Sequence, residues 1–187
     1  MLHILDQTGA DQRSRQETLK IMTDFEKLNL RPCVGIMLLN TESKVWIGKR
    51  IGGSHNSDDQ HAWQMPQGGI DKGETPIEAA YRELAEETGI KSTELLQTAS
   101  SWFSYEIPKE IRAKALKGKY QGQTQQWFAM RFKGEESEID IGAKPGHKAE
   151  FNAWKWEDAE KLPDLIIPFK RRVYEQVIEE FSSLLSD

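Results

Sequence analysis

Apolar and polar positions divide the chain into a polar start, an alternating middle and an amphipathic end. Residues 1–29 are polar and mixed in charge. Ile21, Phe25 and Leu28 have the spacing of one short amphipathic helix there, and a flexible or loosely docked extension is expected. From Arg31 the pattern changes. Residues 33–39 form an apolar run that predicts a buried strand, 40–44 a turn, and 45–50 its partner strand. Residues 51–60 are a polar loop rich in Gly, Ser and Asp, and 61–67 are extended. Further strands are predicted at 102–107, 127–132, 138–141 and 151–156, with a basic helix and loop over 108–122. Residues 169–185 read as an amphipathic helix with Val173, Val177, Phe181 and Leu184 on one side. Strands interrupted by helices suit the α/β class, with a mixed sheet covered on both faces.

The strongest helix signal lies at 76–88. Thr75 is a fitting N-cap, Pro76 suits the first helical position, and Glu78 completes a capping box. Gly89 suits the left-handed residue past the end. Ile77, Tyr81, Leu84 and Thr88 form a stripe expected to face the core, with Glu83, Glu86 and Glu87 turned a quarter-turn or more away. Those three acids are spaced i, i+3 and i+4, so they repel one another. They also sit near the negative end of the helix dipole. A solvated acidic face is the plain reading of such a run. A bound cation relieves both penalties, and carboxylates as hard ligands select Mg²⁺ or Mn²⁺. Arg82 is placed to hold one carboxylate while the metal takes the others.

Composition narrows the classes. The 187 residues are enough for one domain with a sizeable core. A mean hydropathy of −0.66 and 29% charged residues predict a soluble chain, expected in the cytoplasm. No apolar run approaches the length of a membrane span, and no signal peptide is legible. The single cysteine, Cys33, excludes an intramolecular disulfide, and the four histidines lack a zinc spacing. A net charge of −5 argues against a general nucleic-acid coat and against DNA as a partner. An enzyme acting on a polyanion needs local basic patches instead. One candidate is Lys109, Arg112, Lys114, Lys117 and Lys119 against Glu110, which reads equally as a steering patch or a solvated loop.

The segment Gly68-x5-Glu74-x7-Arg82-Glu83-Leu84-x-Glu86-Glu87-x-Gly89-Ile90 fills every defined position of the Nudix box, which it resembles. The resemblance implies an α/β/α sandwich and hydrolysis of a nucleoside diphosphate linked to another group. The cofactor it implies is Mg²⁺ on the box glutamates, with Mn²⁺ or other divalent cations as substitutes.

Other segments extend the likeness in chain order: Trp63-Gln64-Met65-Pro66-Gln67-Gly68-Gly69, residues 102–108, residues 122–128, Glu150-Phe151-x-x-Trp154-x-Trp156, and Pro168-Phe169-Lys170-Arg171. This set is similar to the bacterial RNA pyrophosphohydrolases, which also cleave dinucleoside polyphosphates, over about residues 31–181. Residues 1–29 fall outside it, and 30–187 form the expected hydrolase domain. The resemblance implies that Glu83, Glu86, Glu87, Glu150 and Gly68 hold metal, with Glu87, Glu83 and Glu150 as the catalytic acids. Glu150 enters from outside the box as another ligand or as the general base. Arg31, Arg50, Gln125, Phe169 and Lys170 match positions that hold phosphate or the first bases. Phe169 has the chemistry to stack on a base, and a core contact is the plain alternative. Ala62 departs from the pattern, since enterobacterial relatives carry serine there.

The expected function is therefore metal-dependent removal of pyrophosphate from 5′-triphosphorylated RNA, cleavage of dinucleoside polyphosphates, or both. The substrate is the expected partner, and mRNA decay the expected setting. The alternatives are a hydrolase that sanitises nucleoside triphosphates and a non-catalytic Nudix-fold regulator. Intact acids argue against the regulator, and the glutamine-rich 122–127 segment favours the RNA and dinucleotide branch.

Overall fold

A parallel pairing of two long strands organises the molecule. In a computed structural model that describes residues 12, 15, 16, 20, 29–52, 61–112 and 119–185, strand β1 (Leu30–Leu39) runs alongside β7 (Gly122–Phe132). Ten residue pairs match, from Leu30 opposite Gly122 to Leu39 opposite Arg131. The other strands are β2 (Val45–Arg50), β3 (Trp63–Gln64), β4 (Gln67–Gly69), β5 (Thr93–Thr98), β6 (Phe103–Glu106) and β8 (Phe151–Glu157). They all join antiparallel, giving one mixed eight-stranded sheet with the path β3-β2-β1-β7-β5. Off that path, β4 pairs with β1, β6 with β7, and β8 with β2.

Side chains of a strand alternate between sheet faces, and β1 feeds both. Val34, Ile36 and Leu38 enter a core under helix α1 (Pro76–Thr88), with Trp46, Ala79, Ala80, Leu84, Phe128 and Met130. Met37 and Leu39 enter the opposite core under the C-terminal helix Arg171–Glu180, with Trp127, Val173, Tyr174, Val177 and Phe181. Full burial of such side chains contributes about 1.5–3 kcal/mol each. Both faces are covered, so the expected α/β/α sandwich is present. The short helices α2 (Lys109–Arg112) and α3 (Leu162–Leu165) complete the order, and Arg171–Glu180 is α4. Among the described residues no helix is long and apolar enough to cross a membrane.

Several expectations change. Ile77, Leu84 and Thr88 face the core as expected, but Tyr81 is exposed and Ala79, Ala80 and Glu87 are buried instead. Two alanines bring the helix backbone close to the sheet, and this rotates Glu87 inward from the solvent side. Residues 138–141 are not a strand. A 3-10 turn, Glu136–Glu138, stands there, and its polar groups are spent elsewhere. The Glu138 carboxylate accepts the N–H groups of Lys91 and Ser92 at 2.7 and 2.9 Å, while the Asp140 N–H donates to the Thr88 carbonyl. Strand β5 carries no clean alternation because it is an edge with one neighbour and a bulge between Leu95 and Gln97. Strand β7 begins five residues before the apolar run at 127, since Gly122–Gln125 lie between β1 and β6 and find partners on both sides. The C-terminal helix is shorter than 169–185, with 3-10 turns at Pro168–Lys170 and Ser182–Leu184 flanking α4. Ile21, Phe25 and Leu28, and most of loop 51–60, lie outside the described residues. From the polar start, Arg15 reaches α1, donating to the Gly73 carbonyl at 3.2 Å and pairing with Glu78 at 3.0 Å.

Candidate active site

Local sequence builds the α1 entry much as its pattern predicts. Thr75 is the N-cap in extended geometry, and its own N–H donates to Glu78 at 2.8 Å while the Glu78 N–H returns to the Thr75 hydroxyl. At the far end Gly89 adopts φ 77°, a left-handed conformation that disfavours a side chain. These caps fix where the helix begins and ends, so they fix the heights of its glutamates.

Arg82 then ties helix to loop. Its Nε and Nη2 clasp Glu74, both at 2.8 Å, and Nη2 also donates to the Gly69 carbonyl at 2.8 Å. Its Nη1 donates to Glu83 at 2.8 Å and to Glu86 at 3.1 Å. The guanidinium therefore holds three carboxylates and not one, a forked geometry that no lysine reproduces. It keeps Glu74 below the usual carboxylate range. Glu83 stays above that range despite Arg82, because burial outweighs the ion pair.

Glu87 is the deepest acid. Burial, then the charges of Glu83 and Glu150, push its carboxyl well above the usual value. The Gln67 N–H donates to it at 3.2 Å. Gly68 lies directly over Glu83: a Cβ added there would fall 1.9 Å from the Glu83 carboxyl carbon. A side chain at this position would push the Glu83 carboxylate aside, so glycine leaves that acid its place beside β4. Strand β4 pairs with β1 at Cys33, Val34 and Gly35, which presents Gly68 and Gln67 towards the end of α1.

Of the residues expected to hold substrate, Arg31, Arg50, Gln125 and Lys170 lie near these acids, whereas Phe169 packs on the core. Glu150 precedes β8 and pairs with Arg50, at the end of β2, at 3.2 Å. The Arg31 guanidinium lies against Gly69, within 2.1 Å of where a Cβ would stand. Gln125 on β7 donates to the Gln67 side chain at 3.3 Å. Lys170 is buried, its ammonium 5.2 Å over the Tyr105 ring. Burial, then Arg50, bring its pKa down to about 7. Phe169 is half-buried, 5.6 Å from the Tyr105 ring and packed on the core. Cys33 is buried inside β1, and burial pushes its thiol up to about 12, which suits a core residue and not a nucleophile. The basic stretch is only partly described. Arg112 is engaged with the Ile107 carbonyl and Glu106, while Lys114 and Lys117 lie outside the described residues.

Among the described residues no three acidic, histidine or cysteine side chains already close around a single point. The donor set nonetheless suits a hard divalent cation. A buried carboxylate sits among the charges of two others, and glycine leaves room beside one of them. Two supporting residues carry no motif in the sequence. Tyr174 accepts the Met65 N–H at 2.9 Å, and Tyr105 donates to Gln123 at 2.6 Å, each bracing a segment that carries site residues. Their signal is faint, since a tyrosine in an amphipathic helix or on a strand reads as core.

A family model described as NUDIX domain matches residues 29–177. The RNA pyrophosphohydrolase of Rhodopseudomonas palustris is 55% identical over 163 residues, covering 87% of this chain and 98% of that protein. That of Brucella anthropi is 56% identical over 166 residues, covering 87% and 95%. Among solved structures, the E. coli dihydroneopterin triphosphate pyrophosphohydrolase superposes with a TM-score of 0.58 at 23% identity, over 80% of this chain and 97% of that one. At that identity the likeness speaks for the fold alone.

Proposed function

This chain belongs to the Nudix family and is a Nudix hydrolase, and from that premise we propose that it removes pyrophosphate from 5′-triphosphorylated RNA. One observation carries the reading. Relatives more than half identical, matched over nearly their whole length, bear the name RNA pyrophosphohydrolase, and the acids of α1 are intact here. The hydrolase domain would be residues 30–187, preceded by an extension. The setting would be cytoplasmic mRNA decay.

Nudix hydrolases generally use divalent cations. Here Glu83, Glu86, Glu87 and the Gly68 carbonyl would hold Mg²⁺, with Glu150 as a further ligand or the general base. Bound there, the cation would neutralise phosphate oxygens and lower the pKa of a water. The protein's own part is positioning. Arg82 holds Glu83 and Glu86 at fixed heights, and Gln67 fixes Glu87. Arg31, Arg50 and Lys170 offer positive charge to the polyphosphate, with Arg suited to bidentate contact. Gln125 and Phe169 would meet the first bases. Water attacks phosphorus and gives its proton to a glutamate. The α–β phosphoanhydride breaks, pyrophosphate leaves, and the RNA keeps a 5′-monophosphate.

The test is kcat/KM with Mg²⁺ on a short 5′-triphosphorylated RNA beside diadenosine tetraphosphate and pentaphosphate. A preference of about a hundredfold for RNA, nearly 3 kcal/mol, is the expected result. Equal or reversed preference would replace the RNA reading with dinucleotide clearance.

A further inference from the structure

Helix α1 ends in an unfavourable way for its own charges. Three glutamates stand in its second half and no basic residue occupies its last turn. Its last four carbonyls, 85–88, have no partner within the helix. The repair comes from the loop 139–147, which leads to Glu150. Gly89 donates its N–H to the Ala85 carbonyl, and the Asp140 N–H donates to Thr88 at 2.8 Å. Lys144 places its ammonium on the Glu86 carbonyl at 3.2 Å, while the carbonyls of Asp140 and Gly142 hold it from behind at 2.7 and 3.5 Å. A backbone bridge between Lys144 and His147 turns the loop back, and His147 Nε2 stands 3.4 Å from the Glu86 carboxylate. Gly89 leaves room for this approach: a Cβ there would meet the Glu138 carbonyl at 3.1 Å and the Asp140 nitrogen at 3.2 Å. Thus Glu86 is held at its main chain by Lys144, at its carboxylate by Arg82, and faced by His147.

We infer that the loop 139–147, chiefly through Lys144, is a positioning element that holds Glu86 and the end of α1 for metal binding. The inference rests on the proposal that the α1 acids hold a divalent cation. Lys144 puts positive charge at the negative end of the helix dipole without entering the site. Because the same loop continues into Glu150, it joins the helix acids to the one acid that comes from outside the helix. Outer partners of metal ligands commonly change metal affinity by about 10–100-fold when lost.

The experiment is Mn²⁺ binding to the full chain without substrate, followed by the paramagnetic resonance signal of free Mn²⁺, for wild type, Lys144→Met and Lys144→Arg. The metal concentration for half-maximal hydrolysis is measured alongside. Lys144→Met should weaken Mn²⁺ binding about 10-fold and raise the half-maximal concentration in step. The turnover at saturating metal should stay within about threefold, because a positioning loop leaves the reacting groups intact. Lys144→Arg, which keeps charge and donors, should bind within about threefold of wild type. A folded Lys144→Met that binds Mn²⁺ like wild type overturns the inference, whatever its melting temperature. Should that variant not fold, Lys144→Gln replaces it, since the amide can still donate to the loop carbonyls but brings no charge to the helix end; unchanged Mn²⁺ affinity there rejects the hold of Lys144 on Glu86. A wild-type protein that binds no Mn²⁺ rejects the metal proposal and this inference together.

Discussion

The backbone N–H of Gln67 donates to the Glu87 carboxylate at 3.2 Å, which pins the most buried acid of α1 to the strand that precedes it. One hydrogen bond of this kind does not offset burial beside two further negative charges, so the Glu87 carboxyl remains raised. The cluster of acids is thus destabilising by itself, and a cation held there, as proposed, would relieve it.

Glu87→Gln should therefore have opposite effects on stability and turnover. A carboxyl whose folded pKa is raised binds its proton more tightly in the folded state. The resulting stability is present below the ordinary value near 4.5 and is lost as pH climbs through the raised one. The neutral glutamine removes that loss. The metal-free variant should melt higher than wild type at pH 7–8, by about 2–4 °C per kcal/mol relieved. Its kcat should fall by about 10²–10⁴. Calorimetry with and without Mg²⁺, and steady-state kinetics, check the pair. A variant within about threefold of wild-type turnover would remove Glu87 from the centre of the reaction.

Gly68→Ala tests the close approach of β4. The new Cβ would stand 1.9–2.2 Å from three atoms of the Glu83 carboxylate, so Glu83 must leave its place on Arg82. The displaced atoms are the end of a flexible side chain, so the stability cost in urea unfolding should stay near the loss of one partly solvated ion pair, about 1 kcal/mol or less. A loss of at least about 10-fold in kcat/KM should follow from the displaced acid.

Arg82→Lys asks whether the fork itself matters. Lysine keeps the charge but cannot reach Glu74, Glu83, Glu86 and the Gly69 carbonyl at once. The group is partly open to water, so screening limits the loss to roughly 1–3 kcal/mol, below the cost of breaking a fully buried pair. Urea unfolding gives the number. Metal affinity should fall as well, since Glu83 and Glu86 lose their common anchor.

Lys170→Met separates burial from function. The folded pKa lies near 7, below the ordinary 10.5, chiefly through burial. The folded state therefore sheds this proton first. The penalty is full below about pH 7 and is relieved as pH rises from about 7 towards 10.5. Methionine removes the penalty, so the variant should gain more stability at pH 6 than at pH 9.5. If the ammonium meets substrate phosphate, kcat/KM on triphosphorylated RNA should drop about 10–100-fold, the loss of one charge-assisted hydrogen bond. Unchanged kcat/KM would assign Lys170 to the core.

The sequence by itself determined the family and the limits of the acid-bearing helix α1. Thr75, Pro76, Glu78 and Gly89 set the limits of α1 through contacts at most four residues apart, and local rules predict such contacts well. The acids, and the glycine that must lie close to them, are readable from spacing alone. Tertiary structure decided which way the helix faces. Ile77, Leu84 and Thr88 of the expected stripe do meet the core, yet Tyr81 is exposed and Ala79 and Ala80 lie on the sheet in its place, because small residues let the helix pack closest. That rotation buries Glu87 and creates its raised pKa. Tertiary structure also decided that Arg82 serves three acids, and that Lys144 reaches Glu86 from 58 residues away. Contacts at that separation depend on the sheet order and on the length of the loop after β7, and no local pattern of residues encodes either.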